Sequence, residues 1–262
     1  MNGQEVPVPA GRMTTGITRR GGDLLRPVGP WTAAVHEYLR HLETAGYAGA
    51  PRVLGIEGDR EVLSYLDGDV PYDPDWQPGR GHRLPEYARS ESALTGVARL
   101  LRQLHDAAAG FRPNNVDYRF RPRPVRDGEL IVHGDLGPWN TVYRDGEPVA
   151  FIDWDAAGPA HPLLDLGVAA WEFVPLAPRQ RLRDSGFDPD LDLARRLRIF
   201  LDAYGLTDRA AILPALRDVK LVAVEFVRHR PLDAAEAASA LRFFAAELDW
   251  LHQNTATLLA AL

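Results

Sequence analysis

Residues 132–140 read VHGDLGPWN, so a histidine, an aspartate and an asparagine lie close together between two apolar stretches. Gly134, Gly137 and Pro138 favour a sharply turning backbone that presents its side chains. Asp135 lies in this loop and is free to point at a bound molecule. A carboxylate placed in this way can accept a proton from a hydroxyl group. The segment therefore predicts a catalytic site in which Asp135 is the base.

A predicted β-hairpin follows this loop and brings two further oxygen-bearing side chains together. The β-rich runs NTVYR and PVAFIDW flank an Asp-Gly pair at 145–146, which is a favoured two-residue turn. With that turn we expect Asn140 to lie opposite Phe151, so that Asp153 becomes its diagonal neighbour on the same face. Diagonal neighbours are about 7–8 Å apart, and side-chain oxygens are the ligands that Mg²⁺ prefers. We therefore predict that Asn140 and Asp153 share a magnesium ion.

These three side chains are the minimum set for phosphoryl transfer to a hydroxyl group. Asp135 would orient the hydroxyl and take its proton, while a metal on Asn140 and Asp153 would neutralise the phosphates of a nucleotide. The alternative interpretation is an ordinary hairpin with polar turn and cap residues. Spacing and turn register together favour the phosphoryl-transfer hypothesis.

The segment HGDLGPWN, followed by FIDWD and by DLG at 165–167, resembles the aminoglycoside phosphotransferase family. These proteins are small-molecule kinases with a protein-kinase-like fold, and the resemblance covers most of the chain. It implies an α+β architecture with two lobes. Residues 1–66 would form a small antiparallel β lobe with one helix that binds the nucleotide, and residues 67–262 a larger, mainly helical lobe for catalysis and acceptor binding. The hinge is expected near 64–68, and ATP and Mg²⁺ are the implied cofactors.

The resemblance also implies roles for side chains in and around the loop. Asp135 corresponds to the catalytic base, and Asn140 and Asp153 correspond to the magnesium ligands. His133 and Asp165 are expected to support the loop rather than to react.

In the first lobe the resemblance points to nucleotide-binding positions. The segment LSYLDG resembles the hinge, where the backbone carbonyl of Ser64 and the backbone amide of Leu66 would contact the adenine edge. Arg26 stands where the family has a basic residue, and its guanidinium can grip two phosphate oxygens. The family pairs that basic residue with a glutamate on the following helix, and Glu37 is the nearest carboxylate here. A phosphate-covering loop is expected within 11–16.

The positions of glycines and prolines and the spacing of apolar residues predict the helices and strands that must position these groups. Glycines and prolines break residues 6–30 into short runs, which predicts tight hairpins. A helical stripe begins at Trp31 and stops before Gly46, where a C-terminal cap belongs. Two strand-like runs occupy 51–66, and residues 69–90 are expected to be a connection. Further helices are predicted from the apolar stripes over 94–108, 191–204, 208–228 and 233–260.

Composition limits the classes of protein to which the chain can belong. The chain has 262 residues, of which 45% are hydrophobic, and a formal net charge of −6. An acidic chain lacks the basic face that nucleic-acid binding normally needs. There is no cysteine, which excludes disulfides and thiolate metal sites, and no apolar run reaches the length of a membrane span. We expect a cytoplasmic protein with a small-molecule partner and neither a nucleic-acid nor a membrane partner.

The identity of the phosphate acceptor remains open at this level. An aminoglycoside hydroxyl is one candidate, and with it a role in antibiotic resistance. A metabolite kinase for choline, homoserine or a sugar is an alternative, because the same catalytic segment serves all of these acceptors. A nucleotide-binding or immunity-type protein without phosphotransfer is the alternative from another class. The sequence leaves the oligomeric state open.

One basic segment stands apart from these motifs. The run YRFRPRPVR at 118–126 carries arginines at 119, 121, 123 and 126. Such a run is usually a solvated, extended segment, and we expect that here, with substrate or phosphate contact as the lesser alternative.

Overall fold

The N-terminal part of the chain is an antiparallel sheet. The computed structural model describes residues 4–8, 14–73, 81–228 and 232–262. The sheet order is β1-β2-β3-β5-β4, and every neighbouring pair is antiparallel. Its strands are β1 (Val6–Pro7), β2 (Thr18–Arg20), β3 (Asp23–Pro27), β4 (Val53–Glu57) and β5 (Arg60–Ser64). Two-residue turns join β2 to β3 and β4 to β5, so these hairpins follow the predicted punctuation.

Helix α1 (Thr32–Thr44) lies between β3 and β4 in the chain and packs against the core. Its buried face includes Val35, Tyr38, Leu39 and Leu42, which is the predicted helical stripe. The hydroxyl of Tyr38 donates a hydrogen bond of 2.6 Å to the backbone carbonyl of Ile131. The helix therefore joins the sheet to the strand that leads into residues 133–140, which we call the catalytic loop after its predicted role.

A short irregular connection leaves the sheet after β5. The amide of Tyr65 donates to the carbonyl of Gly22 at 2.7 Å, and Asp69 then pairs through its backbone with Tyr143. Gly68 has φ +148°, and a Cβ at this position would lie 2.5 Å from the carbonyl oxygen of Tyr143. Only glycine allows this approach, so the crossing to the second half of the molecule depends on it.

The C-terminal part is mainly helical. Helix α3 begins at Ser90, whose hydroxyl accepts a hydrogen bond of 2.9 Å from the amide of Ala93. Asp192 caps α6 in the same manner. The helices are α2 (Glu86–Arg89), α3 (Glu91–Ala108), α4 (Pro162–Phe173), α5 (Arg179–Asp184), α6 (Leu193–Tyr204), α7 (Ile212–Arg228) and α8 (Ala234–Ala261).

Two small strand pairs frame the catalytic segment. Strand β6 (Leu130–Val132) pairs with β9 (Gly158–Ala160), and β7 (Thr141–Arg144) pairs with β8 (Glu147–Phe151). The observed architecture is the predicted α+β arrangement of a small sheet with one helix and a larger helical part. Residues 69–90 form a connection in their described portion, except for the short α2. No described helix is long and apolar enough to cross a membrane.

Candidate active site

The backbone of the loop after β6 is fixed by a buried carboxylate. Asp165 on α4 is 0% exposed and accepts hydrogen bonds of 2.7 Å from the amides of His133 and Gly134. Burial raises the pKa of Asp165, but hydrogen bonding to His105, the nearby imidazoles and the backbone amides outweigh it. The net pKa lies below its ordinary value, so the carboxylate stays ionised. Gly134 has φ +83°, and a Cβ there would lie 2.5 Å from the carbonyl oxygen of Ala156.

His133 braces the same loop from inside. Its Nε2 lies 3.0 Å from the carbonyl of Ile152, and its Nδ1 lies 3.3 Å from the amide of Asp135. These contacts assign the proton to Nε2, which donates to the carbonyl, and leave Nδ1 as an acceptor. The ring also packs on Trp154 with centroids 4.6 Å apart. Fully enclosed in this way, the imidazole orients the loop and is not open to a substrate.

Asp135 and Asn140 are joined directly at the surface of the loop. The side-chain amide of Asn140 donates to the backbone carbonyl of Asp135 at 2.9 Å and to its carboxylate at 3.0 Å. The Asp135 side chain remains open to solvent, although protein atoms surround its inner side. This partial desolvation raises the pKa of Asp135, and the negative charge of Asp153 adds to the effect. A raised pKa suits a group that must accept a proton.

The hairpin brings Asn140 and Asp153 together by a register that differs from the predicted one. Arg144 lies opposite Glu147 as expected, but a bulge then shifts the pairing, so that Thr141 and not Asn140 opposes Phe151. The carbonyl of Asn140 instead accepts from the amide of Ile152 at 2.9 Å. The bulge adds one residue to β8, which still leaves Asp153 beside Asn140.

The donor set beside Asp135 fits a magnesium ion. The nitrogen of the Asn140 side chain makes both contacts to Asp135, and the amide oxygen receives no hydrogen bond from the described residues. Asp153 has φ +61°, and its side chain is 40% exposed. One of its carboxylate oxygens faces Arg26 at 3.2 Å. An amide oxygen and an exposed carboxylate are hard ligands of the kind that Mg²⁺ takes alongside water and phosphate.

Arg26 on β3 reaches this same point from the sheet. Its guanidinium lies 3.2 Å from Asp153 and 2.5 Å from Asp155, and its Nε lies 3.1 Å from Glu61. The Nε contact is ionic, since the N–H is not aligned for a hydrogen bond. Burial lowers the pKa of Arg26, but the carboxylates Asp155, Asp153 and Glu61 together raise it above its ordinary value. The cation is therefore permanent and lies at the carboxylate of Asp153.

The carboxylate partner of Arg26 is not on α1. Glu37 faces away and accepts hydrogen bonds from the amides of Asn114 and Asn115 at 2.8 and 3.0 Å. Glu61 on β5, directly opposite Arg26 in the strand register, supplies the carboxylate instead. The sequence left the carboxylate partner of Arg26 open, and the position of α1 that faces Glu61 is His36.

The predicted hinge residues Ser64 and Leu66 differ in how their backbone groups are paired. The side chain of Ser64 accepts from the amide of Arg52 at 2.8 Å, and the amide of Ser64 donates to the carbonyl of Arg52. The amide of Leu66 has no hydrogen-bond partner among the described residues. This amide is therefore free to donate a hydrogen bond to a bound ligand. Of the predicted phosphate-covering loop, residues 11–13 lie outside the described residues.

Two arginines of the 118–126 segment are not solvated as expected. Arg119 lies 3.2 Å from Asp155 and stacks on Trp31 at 4.1 Å, while Arg121 packs against Gly134. One terminal nitrogen of Arg121 is buried without a hydrogen-bond partner among the described residues, and burial lowers the pKa of Arg121. Tertiary packing of this segment against the catalytic loop overrides its polar pattern.

Aromatic and charged side chains lie on the other side of the catalytic loop. His82 stacks on Trp139 with ring centroids 4.1 Å apart, and burial lowers the pKa of His82 to about 4. Glu172 lies close enough to contribute to the raised pKa of Asp135. His82, Trp139 and Glu172 line a cavity of about 10 Å³, which is space for roughly one water molecule.

Two of the residues that line this cavity, Glu172 and Arg181, belong to a cluster of buried ion pairs, which we call the ion cluster. It consists of Glu172, Arg181, Lys220 and Glu247 from α4, α5, α7 and α8. The ammonium of Lys220 lies 2.9 Å from Glu247, and burial lowers the pKa of Lys220 to about 8. The two acids of the cluster are thus compensated by two cations.

A comparison of the sequence with known proteins decides the family. A model of the phosphotransferase enzyme family matches residues 117–214, the part that contains the catalytic loop and the hairpin. The trifolitoxin immunity protein of Rhizobium leguminosarum bv. trifolii is 33% identical over 271 residues, which cover 98% of each chain. The chain belongs to the phosphotransferase enzyme family. The predicted family is confirmed.

Solved structures show that this phosphotransferase has the kinase-like fold. A choline/ethanolamine kinase family protein from Mesorhizobium loti matches with a TM-score of 0.63 and 18% identity, over 99% of this chain and 92% of that one. An amicoumacin kinase in complex with AMP-PNP, Ca²⁺ and Ami matches with a TM-score of 0.61 and 14% identity, over 95% and 91%. A gentamicin complex of an aminoglycoside phosphotransferase matches with a TM-score of 0.55 and 13% identity, over 98% and 93%. The predicted two-lobed architecture is confirmed.

Sequence reasoning missed several groups of the phosphotransferase site. Asp155 is the last residue of the FIDWD motif, so its place beside Asp153 could have been noticed. Glu61 belongs to a short strand in which nothing marks it as functional. Its contact with Arg26 follows from strand pairing, which the local pattern does not reveal.

Proposed function

We propose that this phosphotransferase moves the γ-phosphate of ATP to a hydroxyl group of a small molecule, with Mg²⁺ as cofactor. The observation that carries the proposal is the convergence of Asp135, Asn140, Asp153 and Arg26 at one point between sheet and helices. A base, two metal ligands and a fixed cation are what phosphoryl transfer requires.

Each of these residues has a separate task. Asp135 orients the acceptor hydroxyl and takes its proton, and the hydrogen bond from Asn140 fixes the rotamer that does so. Asn140 and Asp153 hold Mg²⁺, which neutralises phosphate charge when it is bound. Arg26 adds a positive charge at the phosphates, and Ser64 and Leu66 contact the adenine through their backbone.

The acceptor is proposed to be an antimicrobial compound. The relative that covers nearly the whole chain is an immunity protein against a toxin, and the fold neighbours include kinases whose names or bound ligands are antibiotics. Phosphorylation of a hydroxyl would change the charge of such a compound and prevent its normal contacts. Glu172 and Glu247 are already compensated by Arg181 and Lys220. This internal compensation favours an acceptor that carries less positive charge than an aminoglycoside.

A second candidate function is immunity through nucleotide-dependent binding without phosphotransfer. The name of the same relative favours it. The contact between Arg26 and Asp153 also favours it, because the arginine occupies a carboxylate that phosphotransfer would need for the metal ion. The carboxylate of Asp135 argues against it, because a binding protein has no need of a solvent-open acid with a raised pKa.

The two functions are separated by acceptor-dependent release of ADP. Wild type and Asp135→Asn would be compared with MgATP against a panel of toxins, macrolides, aminoglycosides, choline-like amines and sugars. We expect one class to stimulate wild type only, with a loss of about 10²–10⁴-fold in turnover for the variant. Wild type that binds nucleotide but shows no stimulation across the panel would support the non-catalytic candidate. Equal turnover of the variant would contradict the role of Asp135.

A further inference from the structure

Arg26 is held from behind by a chain of buried polar groups on three elements. The Nε of Arg26 on β3 lies 3.1 Å from one oxygen of Glu61 on β5. The other oxygen of Glu61 lies 2.6 Å from Nε2 of His36 on α1. The three residues are 5%, 4% and 3% exposed, which is rare for charged and polar side chains unless they are paired. We call Arg26, Glu61 and His36 the guanidinium clamp.

The terminal nitrogens of Arg26 point the other way, toward the phosphotransferase site. One contacts Asp153 at 3.2 Å and the other contacts Asp155 at 2.5 Å. Asp155 is also held by Arg119 at 3.2 Å and its side chain is 10% exposed, whereas the side chain of Asp153 is 40% exposed and pairs with no second cation among the described residues. Asp153 is therefore the partner that Arg26 can exchange, and Asp155 and Glu61 are the partners that it keeps.

The difference between the exchangeable partner Asp153 and the retained partners Asp155 and Glu61 suggests a role for the guanidinium clamp. An arginine held only by a metal-ligand carboxylate would stay with that carboxylate and compete with a metal ion for it. With its Nε fixed by Glu61, Arg26 keeps its position while one terminal nitrogen changes from Asp153 to a phosphate oxygen. We propose that Glu61 and His36 are positioning residues that hold Arg26 ready for the phosphates of the nucleotide. The inference rests on the proposed nucleotide-dependent function.

The experiment compares two ligands that differ in their phosphates. Binding of Mg²⁺–AMP-PNP and of adenosine is measured by calorimetry for wild type, Glu61→Gln and His36→Gln. We expect Glu61→Gln to weaken Mg²⁺–AMP-PNP binding about tenfold or more, as for loss of a charged contact, with adenosine affinity within twofold of wild type. His36→Gln keeps a hydrogen-bond donor and should have a smaller effect of the same kind.

A purely structural role would give a different pattern. Collapse of the sheet would weaken adenosine and AMP-PNP equally, and that result would overturn the inference. Glu57→Gln is the matched control, because Glu57 is an exposed carboxylate on the neighbouring β4 and pairs with Arg20 away from the site. If Glu61→Gln does not fold, Glu61→Asp keeps the charge but draws the carboxylate back from Arg26 and His36, and should weaken AMP-PNP binding. An AMP-PNP affinity equal to wild type in both Glu61→Asp and His36→Gln would overturn the proposal.

The outcomes also separate the inference from the proposed function. A phosphate-specific loss in Glu61→Gln, without acceptor-dependent ADP release by wild type, would support the guanidinium clamp and contradict phosphotransfer. Normal AMP-PNP binding that is unaffected by Glu61→Gln would overturn the inference alone. Wild type without detectable Mg²⁺–AMP-PNP binding would overturn both.

Discussion

Asp135, the proposed base, illustrates the cost of placing a carboxylate next to other acids. Its folded-state pKa is raised by desolvation and by Asp153, so the ionised form is disfavoured in the native protein. The folded state therefore holds its proton to higher pH than the unfolded chain does. As pH rises from the unfolded to the folded pKa, this group removes stability.

Asp135→Asn should consequently lose turnover and gain stability. The asparagine retains an oxygen that can accept the hydrogen bond from Asn140, without a charge to desolvate. We expect a higher melting temperature than wild type at pH 7, with the difference shrinking below the unfolded pKa of about 4. Thermal unfolding at pH 7 and at acidic pH measures both values. A melting temperature below that of wild type at pH 7 would show that the ionised carboxylate of Asp135 does not destabilise the folded state.

At the same scale, local spacing explains which site residues the sequence could reveal. Asp135 and Asn140 lie in one loop, and Asp153 follows in the adjacent hairpin, so a shared site is encoded within a short segment. The one-residue bulge escaped this reasoning, since nothing in NTVYR or PVAFIDW marks it. Glu61 and His36 meet Arg26 only through strand and helix packing, which no local pattern records.

Among the elements, α4 connects the catalytic loop to the helical core. Asp165 in the first turn of α4 accepts hydrogen bonds from the backbone amides of His133 and Gly134. Its carboxylate is ionised because its pKa is lowered. A lowered folded pKa gives stability that is fully present above the unfolded pKa and is lost as pH falls through the folded one.

Asp165→Asn is expected to loosen this connection. An amide nitrogen would then face one of the two backbone N–H donors, which leaves a buried donor without an acceptor. We expect a loss of about 2–3 kcal/mol at pH 7, and a smaller difference from wild type below pH 4 or so. Urea unfolding at both pH values tests this. A constant difference at both pH values would show that the charge of Asp165 is not the cause.

The ion cluster joins four helices through the single lysine of the chain. Lys220 lies between Glu172 and Glu247, and its ammonium is 4.4 Å from the ring centre of Trp171. A compact ammonium fits this space, whereas all other basic side chains of the chain except histidine are arginines. The helices α4, α7 and α8 thus depend on a charge balance as well as on apolar packing.

Lys220→Met should be strongly destabilising. Its removal leaves Arg181 alone to compensate two buried carboxylates, and breaking a buried pair in this way costs about 3–5 kcal/mol. The free energy of unfolding in urea is the measurement. Arg217→Met on the same helix is the control, because Arg217 is exposed. Similar values for the two variants would mean that the ion cluster does not hold the helices together.

On the scale of the whole molecule, the active site lies between two parts that share one apolar core, because Val35, Tyr38 and Leu39 of α1 belong to the same buried cluster as residues of α3 and α4. The chain crosses once after β5, where Gly68 meets Tyr143, while Tyr38 and Glu37 of α1 reach Ile131 and residues 114–115. Composition and motif order were enough to predict two such parts. The polar contacts between them, such as those of Tyr38 and Glu37, come from single side chains far apart in the sequence, and no local pattern records them.

A ligand that spans both parts should therefore stabilise the entire fold. A nucleotide would contact the backbone near Leu66 and the cation of Arg26 on one side, and through magnesium Asn140 and Asp153 on the other. At a concentration 100 times its dissociation constant, such a ligand adds about 2.7 kcal/mol, which raises the melting temperature by roughly 5–10 °C. We expect Mg²⁺–AMP-PNP to produce this shift in wild type.

Asp153→Ala should retain the smaller shift caused by adenosine and lose the part that depends on Mg²⁺, since the variant lacks one metal ligand but keeps the hinge. Thermal unfolding with AMP-PNP, in the presence of Mg²⁺ or of a chelator, measures this difference. Asp249→Ala, which removes an exposed carboxylate from α8, is the matched control and should behave as wild type. A full Mg²⁺-dependent shift in Asp153→Ala would show that the metal is held elsewhere, and that the two parts are joined by the nucleotide without this carboxylate.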